Sequence, residues 1–199
     1  GSGHSRGGGR KGRVRRGGEG VRGASAMVAA GGLEGGERCT ATRRGAGVPP
    51  GEIVCGSDGV LATAKLDVRF TGVGAHAGGK PEEGRNALLA AAQATLALHT
   101  LPQHSGGVAR VNVGVLQAGS GRNVVPDVAL MKVETRGASN QVNDDIYQQA
   151  PRAIAGAAAM YGVEHEATLL GGARSCTPSP ASASFIHPQA EATAPCSAV

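Results

Sequence analysis

Three polar side chains in the middle of the chain could together bind a carboxylate. His76 lies in a glycine-rich loop, Asn123 follows a GSG turn, and Arg136 ends an alternating segment. An imidazole, an amide and a guanidinium can anchor a carboxylate or stabilise a developing oxyanion. Taken singly, each is an ordinary surface or turn residue. We expect the three to converge at one end of a sheet, where they would form one site.

The loop that contains His76 also matches a nucleotide-binding motif. Residues 74–80 have the phosphate-loop pattern G-x-x-x-x-G-K. However, Pro81 replaces the hydroxyl residue that would hold magnesium, and Glu82 and Glu83 follow where phosphates would lie. The sequence therefore disfavours nucleotide binding.

Four alternating segments and two helical segments must position these side chains. Alternation of apolar and polar residues predicts four strands, over residues 62–71, 108–117, 128–137 and 163–170. The element order is β-α-β-β-α-β. This order predicts an α+β, ferredoxin-like fold, with a four-stranded antiparallel sheet and two helices on one face.

Each predicted helix has its own boundary signals. The first has Glu82 and Glu83 in its first turn, stops before Pro102, and has an apolar face. That face comprises Leu89, Ala92 and Leu96. The second begins after Ser139 as N-cap, and Pro151 should kink it.

The positive charge of the chain belongs to its first segment. The whole chain of 199 residues has 20 Lys and Arg against 15 Asp and Glu. Residues 1–23 contain seven of those basic residues and one acid, so the remainder has 13 basic and 14 acidic residues. No run approaches the roughly 20 apolar residues of a membrane span. The four cysteines lack zinc-site spacing, and no secretory signal is visible, so we expect free thiols and a cytoplasmic protein.

An RNA-binding module is the alternative hypothesis. The RNA-recognition fold has the same β-α-β-β-α-β order, and a basic Arg/Gly-rich segment often accompanies it. That fold stacks bases on aromatic side chains of its central strands. The third predicted strand has no aromatic residue on its polar face, which comprises Leu130, Lys132, Glu134 and Arg136. Any affinity for RNA would then be electrostatic and independent of base sequence.

Several longer motifs resemble those of the p-aminobenzoyl-glutamate hydrolases, within the amidohydrolase and carboxypeptidase superfamily that has two-metal active sites. The resemblance runs from about residue 19 to residue 180, and its most specific stretches are AHAGGKPEEGRNALLAAAQ and ARVNVGVLQAGSGRNVVPDVALMKVETRG. It implies a β-α-β-β-α-β dimerisation domain, the lid, inserted in an α/β catalytic domain. By motif, His76 would stabilise the oxyanion in the active site of a partner, and Asn123 and Arg136 would hold the substrate carboxylate.

The resemblance also implies cofactor and partners. The reaction would cleave p-aminobenzoyl-glutamate to p-aminobenzoate and glutamate with a divalent metal, manganese or zinc. Only Glu19 matches a metal-ligand position, and Arg43 stands where a histidine is expected. We therefore expect the chain to be inactive alone. Its partner would be a homologous B-type subunit or a second copy, with no specific nucleic acid and no membrane involved.

The sequence divides into four parts. Residues 1–17, a Gly/Arg-rich leader, and 173–199, the tail, lack an apolar period, so we expect both to be disordered. The resemblance implies that residues 18–59 are a remnant of the catalytic domain and that 60–172 form the lid. The resemblance ends abruptly on both sides. We therefore expect an interrupted or frame-disrupted gene product.

Overall fold

The computed structural model describes residues 28–31, 34, 53–55, 59–177 and 196–198. The chain divides into two compact units, residues 1–43 and 44–199. In the first unit, the Gly31 N–H donates to the Val28 carbonyl at 3.0 Å and the Glu34 N–H donates to the Gly31 carbonyl at 3.1 Å. The expected leader, Glu19 and Arg43 lie outside the described residues.

The second unit has a four-stranded antiparallel sheet with two helices packed on it. Its described strands are β1 (Ile53–Cys55), β2 (Ala62–Thr71), β3 (Ala75–His76), β4 (Ala109–Ala118), β5 (Val124–Val125), β6 (Val128–Gly137), β7 (Glu164–Ala173) and β8 (Cys196–Ala198). The α-helices are α1 (Ala87–Leu98) and α2 (Asn140–Met160). The strand order of the main sheet is β4-β6-β2-β7, which confirms the predicted α+β fold class.

In the two central strands, the residues that the alternation predicts to face the core are the ones that are buried. β2 and β6 pair without interruption from Ala62 opposite Gly137 to Thr71 opposite Val128. The inward residues of β2 end at Phe70, which is fully buried. The largest buried side chains around it come from both central strands and both helices: Leu66, Leu98, Met131, Ile146 and Ile154.

One bulge changes the faces of the edge strand β4. Val113 lies opposite Val133, but the register then shifts, so that Val115 lies opposite Lys132. The intervening Gly114 is the extra residue, and such a residue reverses the alternation beyond it. The sequence pattern, which treats Val113 and Val115 as equivalent, is therefore wrong for the second half of this strand.

Helix α1 begins later than the sequence predicts and buries a different face. Glu82 and Glu83 belong to a separate 3-10 turn, while the Asn86 side chain caps α1 by accepting from the Leu89 N–H at 3.1 Å. The side chains that face the core are small except for Leu98: Ala87, Ala90, Ala91 and Ala94. Leu89 is 42 % exposed and Leu96 is 67 % exposed. The apolar face identified from sequence is thus on the surface.

Helix α2 is fixed to the sheet by a buried polar contact. Ser139 caps the helix as predicted, because its side-chain oxygen accepts from the Val142 N–H at 3.2 Å. Pro151 lies inside the helix, which continues beyond it to Met160. The Thr135 hydroxyl donates to Asn143 Oδ1 at 2.9 Å, and both residues are buried. A Cβ at Gly137 would clash with the Asn143 backbone nitrogen. Glycine therefore lets the helix start lie directly against β6.

The remaining described segments bear on three sequence expectations. Strand β8 pairs in parallel with β1, although the sequence indicates no regular structure there. Backbone pairing of two short segments leaves little trace in a composition pattern. Residues 178–195 lie outside the described residues. Among the described residues, Cys176 is a free thiol. No helix among the described residues is long and apolar enough to cross a membrane.

We predict that Asn143→Ala lowers the free energy of unfolding by about 1–3 kcal/mol, because the buried Thr135 hydroxyl loses its acceptor. Chemical denaturation of the full chain measures this change. Gln141→Ala, which removes an exposed contact to Asp145 one turn further along the helix, should change stability by less than about 0.5 kcal/mol. Equal losses in the two variants would contradict the assignment of a stabilising role to the buried contact.

Candidate functional site

His76 and Asn123 lie together at one end of the sheet. The short strands β3 and β5 pair with His76 opposite Val124. The Ala77 N–H also donates to the Asn123 carbonyl at 2.9 Å. The two loops that the sequence singles out are therefore joined by their backbones, and both residues are exposed.

Close backbone approaches hold the His76 loop in place. The Gly72 N–H donates to the Asp127 carbonyl at 2.7 Å, and a Cβ at Gly72 would clash with the Arg85 carbonyl oxygen. Val73 and Arg85 exchange two backbone hydrogen bonds of 2.9 Å. A Cβ at Gly84 would lie 2.9 Å from Val125 Cγ1. The glycines of this segment thus allow the loop to pack tightly against β5 and its flanking residues.

The ring of His76 is oriented by its own loop. The Gly78 N–H donates to His76 Nδ1 at 3.2 Å. A neutral imidazole that accepts at Nδ1 carries its proton on Nε2. Nε2 has no partner within the described part of the chain, so the ring can donate one hydrogen bond to a group outside it. A Cβ at Gly79 would lie 3.3 Å from Nδ1, which leaves room only for a small residue.

The side chain of Asn123 is available in the same way. Its backbone carbonyl is occupied by Ala77, while its side-chain amide makes no hydrogen bond to any described residue. The amide can therefore donate and accept beside His76. This end of the sheet offers two hydrogen-bonding side chains on adjoining loops.

Arg136 lies at the other end of the sheet. It is the penultimate residue of β6, whereas Asn123 and β5 lie just before the first residue of that strand. Arg136 lies eight residue steps along extended strand from Val128, about 26 Å at ~3.3 Å per step. The expectation that all three side chains converge within one chain is therefore wrong. The sequence motif gives their order along the chain but not the direction of β6.

A small charged cluster surrounds Arg136 on the open face of the sheet. Arg136 Nη2 and Nε lie 2.8 and 3.0 Å from Glu134 Oε2. Lys65 Nζ lies 3.8 Å from the other oxygen of the same carboxylate. Arg136 also lies directly opposite Arg110 of β4, and both border a shallow cleft of about 250 Å³. Sequence analysis missed Arg110, since only the pairing register places it beside Arg136.

The phosphate-loop motif has a different structure from a phosphate site. Lys80 Nζ lies 2.7 Å from Glu83 Oε1, so the charge of this lysine is paired. The loop leads into the three-residue 3-10 turn Pro81–Glu83 and not directly into a helix. These contacts agree with the sequence argument against nucleotide binding.

The described residues do not fit a metal site. Among them, no group of three or more His, Cys, Asp and Glu side chains could hold an ion. Glu19, the ligand position implied by resemblance, is outside that part of the chain. No chemical step can be assigned to a metal held by the described residues.

Comparison with known proteins identifies the domain. The family model described as peptidase dimerisation domain matches residues 61–160. The chain belongs to this family. The matched region contains both helices and strands β2 to β6, and therefore His76, Asn123 and Arg136.

Two relatives are similar over most of the chain. Indole-3-acetyl-aspartic acid hydrolase of Enterobacter agglomerans is 58 % identical over 172 residues, which are 86 % of this chain and 39 % of the relative. The A-type subunit of p-aminobenzoyl-glutamate hydrolase from Escherichia coli K12 has the same identity and coverage. The chain thus spans about two fifths of the length of these curated relatives.

A solved structure has the same fold. The aminobenzoyl-glutamate utilization protein from Klebsiella pneumoniae is 53 % identical, with a TM-score of 0.77 over 91 % of this chain and 48 % of that one. Neither the relatives nor the structure supports the RNA-binding alternative. Phe70, Tyr147 and Tyr161, the aromatic residues among those described, all pack on the core.

We predict that His76 is the Nε2–H tautomer when neutral. His104 should share this tautomer, because its Nδ1 accepts from the Gly106 N–H at 2.9 Å. His99 and His165 have no such backbone donor among the described residues and should populate both tautomers. Imidazole ¹⁵N chemical shifts, recorded at a pH at which the rings are neutral, distinguish the two tautomers. An Nδ1–H signal for His76 would contradict the proposed orientation of its ring.

Proposed function

We propose that this chain is the lid of a hydrolase that cleaves p-aminobenzoyl-glutamate to p-aminobenzoate and glutamate. One observation carries the proposal: the three motif residues form two groups at opposite ends of a dimerisation domain. The 58 % identity to two hydrolases of acyl–amino acid conjugates supports the same class of substrate. Both relatives are named for conjugates of a dicarboxylic amino acid.

The position of Arg136 favours a role in the active site of its own chain. The polypeptide enters the sheet at Ala62, opposite Gly137, and leaves it at Ala173, opposite Thr63. Chain segments that precede and follow the sheet therefore start beside Arg136. In this proposal the guanidinium binds the α-carboxylate of the substrate, and Glu134 holds the guanidinium in position.

His76 and Asn123 then belong to the active site of a neighbouring protomer. They lie at the far end of β6, about 26 Å from Arg136, so one substrate of ordinary size cannot contact both groups of a single chain. A second protomer that presents its far end brings the two groups together. The site is thereby completed only in an assembly.

Amide hydrolysis gives these side chains definite tasks. Water adds to the amide carbon, the carbonyl oxygen becomes an oxyanion, and the C–N bond then breaks as the nitrogen gains a proton. The Nε2–H of His76 donates to the developing oxyanion, and the Asn123 amide helps to orient the substrate. The proposal includes a divalent metal, manganese or zinc, bound outside the described residues, and we assign no step to it.

The partner in this proposal is a second copy or a homologous B-type subunit. Leu89 and Leu96 expose apolar surface on α1, and Leu116 does so on the adjacent edge strand. Burial of such surface favours association. The chain alone would then lack turnover, and we place the assembly in the cytoplasm.

We predict that the chain combined with manganese and a B-type subunit hydrolyses p-aminobenzoyl-glutamate, while the chain alone does not. The reaction is measured by quantifying the released p-aminobenzoate by chromatography. Absence of turnover in the assembled complex would overturn the substrate assignment. Turnover by the purified chain alone would overturn the requirement for a partner.

His76→Ala should lower kcat of that complex about 10²–10³-fold, because an oxyanion donor is lost, with a smaller effect on KM. Arg136→Ala should instead mainly raise KM, since a charged contact to the bound carboxylate is removed. His165→Ala, an exposed histidine of β7, is the matched control and should leave both constants unchanged. An unchanged kcat for His76→Ala would contradict its catalytic role.

A further inference from the structure

Arg110 is a second guanidinium beside the proposed substrate anchor. It lies on β4 directly opposite Arg136, with its side chain exposed on the same open face of the sheet. Residues paired in this way have Cα atoms about 4.5–5.5 Å apart. Within the described residues, Arg110 makes no ion pair and no side-chain hydrogen bond. Two like charges directly opposite each other destabilise a sheet unless an anion lies between them.

The charges of the cluster are incompletely balanced. Glu134 contacts Arg136 and Lys65 but not Arg110. Three cations and one carboxylate leave a formal charge of +2. A ligand with two carboxylates would neutralise this charge, whereas a ligand with one would leave half of it.

The dimensions of the cluster suit one amino acid. The cleft is bordered by Arg110, Asn112, Glu134 and Arg136 and has a volume of about 250 Å³. This lies below the roughly 300–1,000 Å³ of pockets that enclose a drug-sized ligand. The two carboxyl carbons of glutamate lie at most about 5 Å apart, given C–C bonds of ~1.5 Å. That separation is comparable to the spacing of the two arginines across the strands.

We propose that Arg110 binds the side-chain carboxylate of the substrate and thereby selects conjugates of dicarboxylic amino acids. This inference rests on the proposed function, in which Arg136 binds the α-carboxylate. Arg110 is not required for the reaction itself. It determines which amino acid is accepted at the amine side of the scissile bond.

The decisive comparison uses two substrates of nearly equal shape. In the complex with a B-type subunit, p-aminobenzoyl-glutamate is compared with p-aminobenzoyl-glutamine, in which a neutral amide replaces the side-chain carboxylate. Arg110→Ala should lower kcat/KM for the glutamate conjugate about 10- to 100-fold, as expected for loss of a charged hydrogen bond. The value for the glutamine conjugate should change less than about threefold, so the selectivity is lost.

A matched variant controls for the general charge of the sheet. Arg69→Ala removes another exposed arginine from the open face of the sheet. Arg69 lies on β2, several residues away from the cluster, so this variant should preserve the selectivity. Arg110→Lys, which keeps the charge but loses the planar guanidinium, should retain part of it. If hydrolysis proceeds but Arg110→Ala leaves the glutamate-to-glutamine ratio unchanged, the proposed role of Arg110 is wrong while the proposed function stands.

A binding measurement separates this inference from the reaction. Glutarate and butyrate are titrated into the chain at low salt, and the arginine side-chain NMR signals are followed. The wild-type chain should bind glutarate more tightly than butyrate, and Arg110→Ala should remove the difference. Equal binding of the two acids by the wild-type chain would overturn the inference. If the complex shows no turnover, the proposed function fails, and this titration alone decides the role of Arg110.

Discussion

The uninterrupted pairing of β2 with β6 is the constraint on which the rest of the structure depends. Ten residues of each strand pair in one register, from Ala62 opposite Gly137 to Thr71 opposite Val128. This ladder places the chain entry and Arg136 at one end, and the turn that leads to His76 at the other. Since a one-residue slip would invert every side chain of β6, the buried face also fixes which residues remain on the open face.

Close backbone contacts fix the loops and the second helix on this frame. Gly72 lets the Arg85 carbonyl approach the end of β2, and Gly137 lets the start of α2 approach the end of β6. Both glycines lie where a strand meets another element. The His76 loop and the Asn143 contact are thus fixed by backbone approach as well as by side-chain packing.

The sequence predicted the parts of the fold that depend on simple periodicity. Strand β2 and strand β6 have the predicted bounds, and Ser139 caps α2 as expected. The predicted start of α1 is wrong because a separate 3-10 turn precedes the helix. The predicted faces of β4 are wrong beyond Gly114, because the bulge there interrupts the alternation. The individual candidates His76, Asn123 and Arg136 came from residue types and motifs. Their separation follows from strand direction, and Arg110 emerges only from cross-strand register.

The Gly114 bulge has a consequence for how this chain behaves before it finds a partner. β4 is an edge strand, and a flat edge of ten residues is a template on which other chains can add strands and aggregate. The bulge divides that edge into two shorter segments with opposite alternation. A strand that aligned with the first segment would fall out of phase at the second. The same glycine therefore makes this exposed edge a poor template for indiscriminate strand addition.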